Sequence, residues 1–271
     1  MNISSRSLFH FTPKYEFLIG ILSRGYRYSL LHESIPKIGY THHFSRIIQG
    51  TRAVCFCDLP LILSQQHRDQ YGNYVIGMDK EWGKSVGLTP VRYIHNDSPD
   101  LRRYTIKKLH EIAAGLELTK GDVVDFYVNY LNEIGYEGAP TPADIDKLPE
   151  GIIKLLYVIA DDYMEMFQQS YHLLGLSRIF EGEWQDRSTQ EAKQRIFYDE
   201  REWRGITNIE AEDYLQFQFK HVNHLIVTTP DERKNLGTFL LLEENRKRLQ
   251  IQDETEVWSK IRVGEELFTE I

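Results

Sequence analysis

Strand-like apolar runs sit at the two ends of this chain, with helical spacing in between, and this partition limits the folds open to it. Residues 8–12, 53–57, 74–78 and 91–94 read as short strands, and strand character returns at 196–206 and 222–229. From about 99 to 180 apolar residues instead recur every three or four positions. Examples are Ile106, Leu109, Ile112 and Ala113, then Val123, Tyr127 and Leu131, then Ile152, Leu155, Ile159, Tyr163 and Met166. The pattern predicts a single domain over 1–271. Its α+β core would be drawn from 1–98 and 181–271, with a mostly antiparallel sheet. Residues 99–180 would be a helical insertion packed on that core.

Shorter signals place the helices of the core. Residues 14–24 read as a helix with Phe17, Leu18, Ile21 and Leu22 on one face and Gly25 as its stop. Asp58 and Pro60 predict the start of a second helix, running to about Tyr71. A third helix begins near 231, and residues 26–50 read as irregular and polar. No internal repeat or low-complexity tract interrupts this order.

Composition narrows the function classes. The chain has 271 residues, 41% hydrophobic and 12% aromatic, enough for a sizeable core. A formal net charge of -8 argues against a general nucleic-acid binder, which needs clustered Lys and Arg; a local basic patch stays open. No apolar run approaches the roughly 18–20 residues of a bilayer span, and the first residues lack a basic-then-apolar signal pattern. The expectation is a cytoplasmic protein with no membrane partner. Cys55 and Cys57 are too close in sequence for an ordinary structural bridge. With His67 they are also too few, at the wrong spacing, for a closed zinc site, so no metal is expected.

Three segments carry polar groups suited to chemistry. His10 and Thr12 lie on one face of the first strand, and a neutral imidazole can pair with a ribose diol. A core histidine with one satisfied nitrogen explains His10 equally. The stretch from Arg52 to Tyr71 is a strand followed by a helix, with Phe56 and Tyr71 able to flank a flat ring; ordinary core aromatics are the alternative. In Glu200-Arg201-Glu202-Trp203-Arg204 an extended backbone would put both glutamates on one face. A carboxylate beside a ribose stabilises an oxocarbenium-like transition state, whereas charge runs also occur as solvated strand edges. No G-x-S-x-G elbow or phosphate-cradling glycine loop is present.

Several stretches together resemble the AbiGi family of abortive-infection, phage-resistance proteins. They are Leu8–Pro13 with Ile21-Leu22-x-x-Gly25, Cys55-Phe56-Cys57-Asp58-Leu59-Pro60, His67-x-x-x-Tyr71-Gly72-x-Tyr74, Lys80-Glu81-Trp82, Pro90-Val91-x-Tyr93-Ile94 and Tyr198 to Arg204. That resemblance implies an antiviral role as the antitoxin-like member of a toxin–antitoxin pair. A cognate toxin or a phage product would be its partner. A more distant resemblance, to the ADP-ribosyltransferase fold and its DarT-like members, rests on the His10-Phe11-Thr12 strand, the aromatic strand-to-helix segment and the late glutamates. It implies a transferase-like split sheet and NAD as substrate. The main expectation is a phage-defence enzyme that transfers ADP-ribose to a protein or nucleic-acid acceptor, with a catalytically degenerate antitoxin or sensor module as the alternative. His10, Phe11, Thr12, Arg52, Phe56 and Tyr71 would hold NAD, and Glu202, Glu200 and His10 would be catalytic. The chain has Phe11 where many members of that fold have glycine.

Overall fold

The structure is a computed structural model, and it describes residues 4–31, 52–95, 175–185, 192–207 and 213–264. The chain separates into two compact units. One comprises Met1–His32, Gln49–Asn96 and Gly175–Ile271, the other Glu33–Ile48 and Asp97–Leu174. Every described residue belongs to the first unit. The expected helical insertion at 99–180 therefore lies outside the described residues up to 174. Its last positions are a strand rather than a helix, Ser177–Ile179.

The elements follow in chain order. Strand β1 (Ser7–Thr12) leads into helix α1 (Tyr15–Arg24), then β2 (Tyr26–Arg27), β3 (Ser29–Leu30) and β4 (Arg52–Cys57). Helix α2 (Gln65–Tyr71), β5 (Tyr74–Asp79), α3 (Lys80–Ser85), β6 (Thr89–Pro90) and β7 (Arg92–Ile94) come next. The third stretch holds β8 (Ser177–Ile179), β9 (Glu181–Gln185), β10 (Ala192–Ile196) and β11 (Glu202–Thr207). The last holds β12 (Tyr214–Leu215), β13 (Val222–Val227), α4 (Pro230–Leu241), α5 (Glu243–Leu249), α6 (Glu254–Lys260) and β14 (Ile261–Val263).

Eight of these strands form one open sheet in the order β14-β13-β5-β1-β4-β11-β6, with β3 also paired to β4. All its pairings are antiparallel except β13 with β14. The mostly antiparallel sheet matches the sequence expectation.

Period-two alternation sorts side chains to the two faces. On one face Leu8, Val54, Phe56, Ile76, Met78, Trp203 and Leu225 pack with Leu18 and Leu22 of α1, Trp82 of α3 and Leu236 and Leu240 of α4. On the other, Phe9, Phe11, Cys57, Val75 and Ile226 form a smaller cluster with Leu59, joined by Leu61 and Tyr71. Two glycines are dictated by backbone. Gly25 ends α1 at φ +100°, and Gly72 ends α2 at φ +107°, where a Cβ would overlap the Thr12 and Pro13 backbone. Helix α4 starts with a capping box in which Thr229 and Glu232 satisfy each other's backbone N–H, with Pro230 next in line.

Three local expectations are corrected. The helix expected from Asp58 to Tyr71 splits into a 3-10 turn, Leu61–Leu63, and α2. Asp58 caps nothing; its carboxylate accepts from Ser4 Oγ, the Ser5 N–H and Lys80 Nζ. The strand expected over 196–206 is interrupted by a 3-10 turn, Phe197–Glu200, and by Arg201 in the left-handed region at φ 45°. Phe17, expected on the buried face of α1, is 51% exposed; Leu18 and Leu22 are the buried residues of that helix, with Ile19 and Ile21 packed partly against the core.

Candidate functional site

The strand registers decide which candidate residues meet. Phe9 and Glu202 both pair with Cys57, from the two sides of β4. Phe9, Cys57 and Glu202 therefore share one face, and His10, Phe56 and Trp203 share the other. Contacts agree. His10 lies edge-on to Tyr26 and Phe56, with ring centroids 5.1 and 5.7 Å apart, and its Nδ1 is 2.9 Å from the Cys55 carbonyl oxygen. Burial lowers its pKa and favours the neutral ring. Thr12 is buried on that same side of β1, whereas Phe11 turns to the opposite face and packs against His67. Arg52 is engaged at the surface, 2.7 Å from Asp213.

The single cleft expected to contain His10, Phe56, Tyr71 and Glu202 is not formed. His10 and Phe56 project to the face covered by α1 and α3; Tyr71 and Glu202 lie on the other. Trp203, the residue after Glu202, likewise points away from that carboxylate, and Lys80 Nζ sits 5.1 Å over its ring. Alternation along β11 enforces that separation.

A polar cluster does form around the two glutamates. Glu202 accepts from Arg204 Nε at 2.9 Å and Nη2 at 2.9 Å, a two-pronged pairing, and from Arg178 Nη1 at 2.8 Å. The same Arg178 nitrogen is 2.7 Å from Glu200, and Arg195 Nη2 is 3.1 Å from the other Glu200 oxygen. Tyr71 Oη donates a long bond, 3.4 Å, to Glu200. Tyr93 Oη accepts the Glu202 backbone N–H at 2.9 Å. Arg204 also donates to the Gly175 carbonyl at 2.9 Å. Arg204 is 1% exposed, so its charge depends on these partners.

Burial and charge push the two glutamates apart. Burial alone would raise Glu202, but Arg204 and then Arg178 outweigh it and hold the carboxyl at about 2. Burial raises Glu200, and Arg178 and Arg195 offset only part of that. Burial chiefly drives His67 down to about 4, helped by Arg195. Tyr71, Tyr93, Cys55 and Cys57 are all raised, first by burial, so both thiols are held as inert neutral groups. Among the described residues no group of three or more His, Cys, Asp or Glu is arranged to hold a metal ion.

The cluster thus joins β7, β8, β10, β11 and α2 through one ionic network, with both glutamate side chains engaged by guanidinium groups. Sequence reasoning found Glu200, Glu202 and Tyr71. It missed Arg178 and Arg195 altogether, and it named Tyr93 and Arg204 only within motifs, without a role at the site. Nothing local marks these arginines, since pairing across β7–β8 and β9–β10 brings them in.

A family model described as "abortive phage resistance protein AbiGi, antitoxin" matches residues 29–236. The chain belongs to the AbiGi family. The match includes Glu200, Glu202, Arg178, Arg195 and Arg204; His10 and Thr12 precede it. The AbiGi family is one of abortive phage resistance, which places this chain in phage defence. Nothing among the curated proteins or the solved structures matches it. No helix among the described residues is long and apolar enough to cross a membrane.

Proposed function

We propose that this AbiGi protein is the antitoxin-type member of a phage-defence pair, acting by binding a cognate toxin rather than by turning over a small molecule. The observation that carries the reading is the state of its most suspicious carboxylates. Glu202 is held on both oxygens by Arg204 and on one by Arg178, and Glu200 by Arg178 and Arg195. A carboxylate so engaged would need its guanidinium partners displaced before it could face a sugar or a water. A buried ionic network of this kind suits the holding of five elements in one register. The family description supports the same reading.

The alternative is an ADP-ribosyltransferase with NAD as substrate, Glu202 or Glu200 as catalytic carboxylate and His10 as ribose ligand. It draws support from the opposed pKa shifts of the two glutamates, a pattern shared with acid–base pairs. Against it stands the placement of His10 and Glu202 on opposite faces of the sheet.

Expression separates the two. An antitoxin expressed alone leaves growth unchanged, restores growth to cells making its toxin, and co-elutes with that toxin. Growth arrest by this chain alone, accompanied by loss of cellular NAD and by NAD binding in calorimetry, would reject the antitoxin reading in favour of the transferase.

A further inference from the structure

Cations gather at one end of the sheet, in a chain of net charge -8. Lys220 and Arg262 are exposed, and His221, His224 and Lys260 are half-buried. Lys260 Nζ donates to the Phe219 carbonyl at 3.1 Å, next to Lys220, and β14 with Arg262 follows it directly, so Lys220, Lys260 and Arg262 form one positive patch. Burial and these cations lower His221 and His224, which stay neutral beside it. Within it Lys260 is paired to Glu256 at 2.5 Å, and Asp79 acts on His221. Lys220 has no acidic partner among the described residues. The Arg262 guanidinium has none there either and folds back on the neighbouring Ile261 carbonyl at 3.3 Å.

The same place is a sheet edge. Strand β14 ends the eight-stranded sheet and, among the described residues, pairs only with β13. Ile261 and Val263 are buried, and Arg262 between them points out. Beside it, Gly77 leaves room for His224 to stack over Phe9, with ring centroids 6.1 Å apart, because a Cβ at Gly77 would meet the Phe9 ring at 2.8 Å. An edge strand offers unpaired backbone donors and acceptors to an incoming strand, and a basic flank selects an acidic one.

We infer that the β14 edge, flanked by Lys220 and Arg262, docks an extended acidic segment of a partner protein. The inference rests on the antitoxin reading for the partner's identity, since a toxin with an acidic strand is the occupant it names. Binding is by strand addition to β14, with carboxylates of the segment facing Arg262 and Lys220. Such binding weakens as salt screens the charges.

The test uses the full chain and two labelled synthetic decapeptides of one valine–threonine strand pattern, with glutamate at the intervening positions in one and lysine in the other. A single-stranded ten-thymidine oligonucleotide is the third probe. Fluorescence anisotropy should show the glutamate peptide binding at least about tenfold more tightly than the lysine peptide, with affinity falling as salt rises. The exposed-site double variant Lys220→Glu/Arg262→Glu should lose about tenfold, and Lys220→Gln/Arg262→Gln an intermediate amount. No binding, equal binding of the two peptides, an unaffected double variant, or an oligonucleotide that displaces the glutamate peptide each overturns the proposal, the last by making this a nucleic-acid site. Co-expression with toxin tells the two readings apart. Neutralisation retained by Lys220→Glu/Arg262→Glu would sink the docking edge and leave the antitoxin reading standing. Peptide binding without neutralisation by the unaltered chain would do the reverse.

Discussion

Glu202 and His10 lie two strands apart in the same sheet and point to opposite faces of it. Cys55 is their shared neighbour, its carbonyl against His10 and its thiol against Glu202. A double-mutant cycle reads this geometry. Glu202→Gln and His10→Ala meet only through different atoms of Cys55, so their coupling in unfolding free energy should stay below about 1 kcal/mol. A coupling well above that, measured by urea denaturation, would mean that the two side chains share a site after all.

Glu202→Gln should itself be costly. It leaves Arg204 and Arg178 facing a neutral amide in a buried setting, and breaking a buried ion pair from one side costs about 3–5 kcal/mol. Replacing both Glu202 and Arg204 by apolar residues of similar volume should cost less than either single change, because no buried charge is orphaned. Urea midpoints of the three variants order the effects; a double variant weaker than both singles contradicts the account.

Tyr71→Phe should be mild. Its hydroxyl bond to Glu200 is long, at 3.4 Å, and the ring stays packed against the smaller apolar cluster and beside the His67 ring, 5.9 Å between centroids. The expected loss is about 1 kcal/mol or less. A loss of several kcal/mol in thermal unfolding would show that the hydroxyl supports the arginine network more than its geometry indicates.

Gly237→Ala sets helix propensity against packing. In the middle of α4 an alanine would ordinarily gain about 1 kcal/mol. Here the added Cβ would overlap the Trp258 ring, so the ring must move or the helix must shift. The expected sign is destabilising, by about 1–3 kcal/mol for an overpacked contact. A raised melting temperature would show that Trp258 moves freely.

Stability should fall as the solution is acidified, in two stages. His67, held at about 4 against an ordinary 6.5, refuses a proton that the unfolded chain accepts. Stability from this group is present above about 6.5 and drains away as pH falls toward 4. Glu202, held at about 2 against 4.5, contributes above about 4.5 and loses its contribution as pH falls toward 2. The raised Glu200 works in the opposite sense. His67→Phe should flatten the slope of urea stability between pH 6.5 and 4; an unchanged slope would mean that His67 is protonated in the fold.

Much of the core was legible because its signals are local. Alternation placed β1, β4, β5 and β13 to within a residue or two, and the Gly25 stop and the start of α4 follow from backbone chemistry that one turn contains. The break at Phe197–Glu200 was not legible. Arg201 adopts a left-handed conformation that its residue type does not announce, and the run around it reads equally well as a strand.

By itself, then, the amino-acid sequence determined the longer strands β1, β4, β5 and β13 and that His10 and Thr12 share a face. It singled out Glu200 and Glu202 as candidate carboxylates, but it did not reveal the strands β8, β9 and β10. Tertiary structure alone decided what those groups meet. Register across β4 sent His10 and Glu202 to opposite faces. Pairing of β7 with β8 and of β9 with β10 carried Arg178 and Arg195 to the glutamates. Periodicity along a strand is set by its own backbone, whereas the partner across a sheet is chosen by residues far away in the chain.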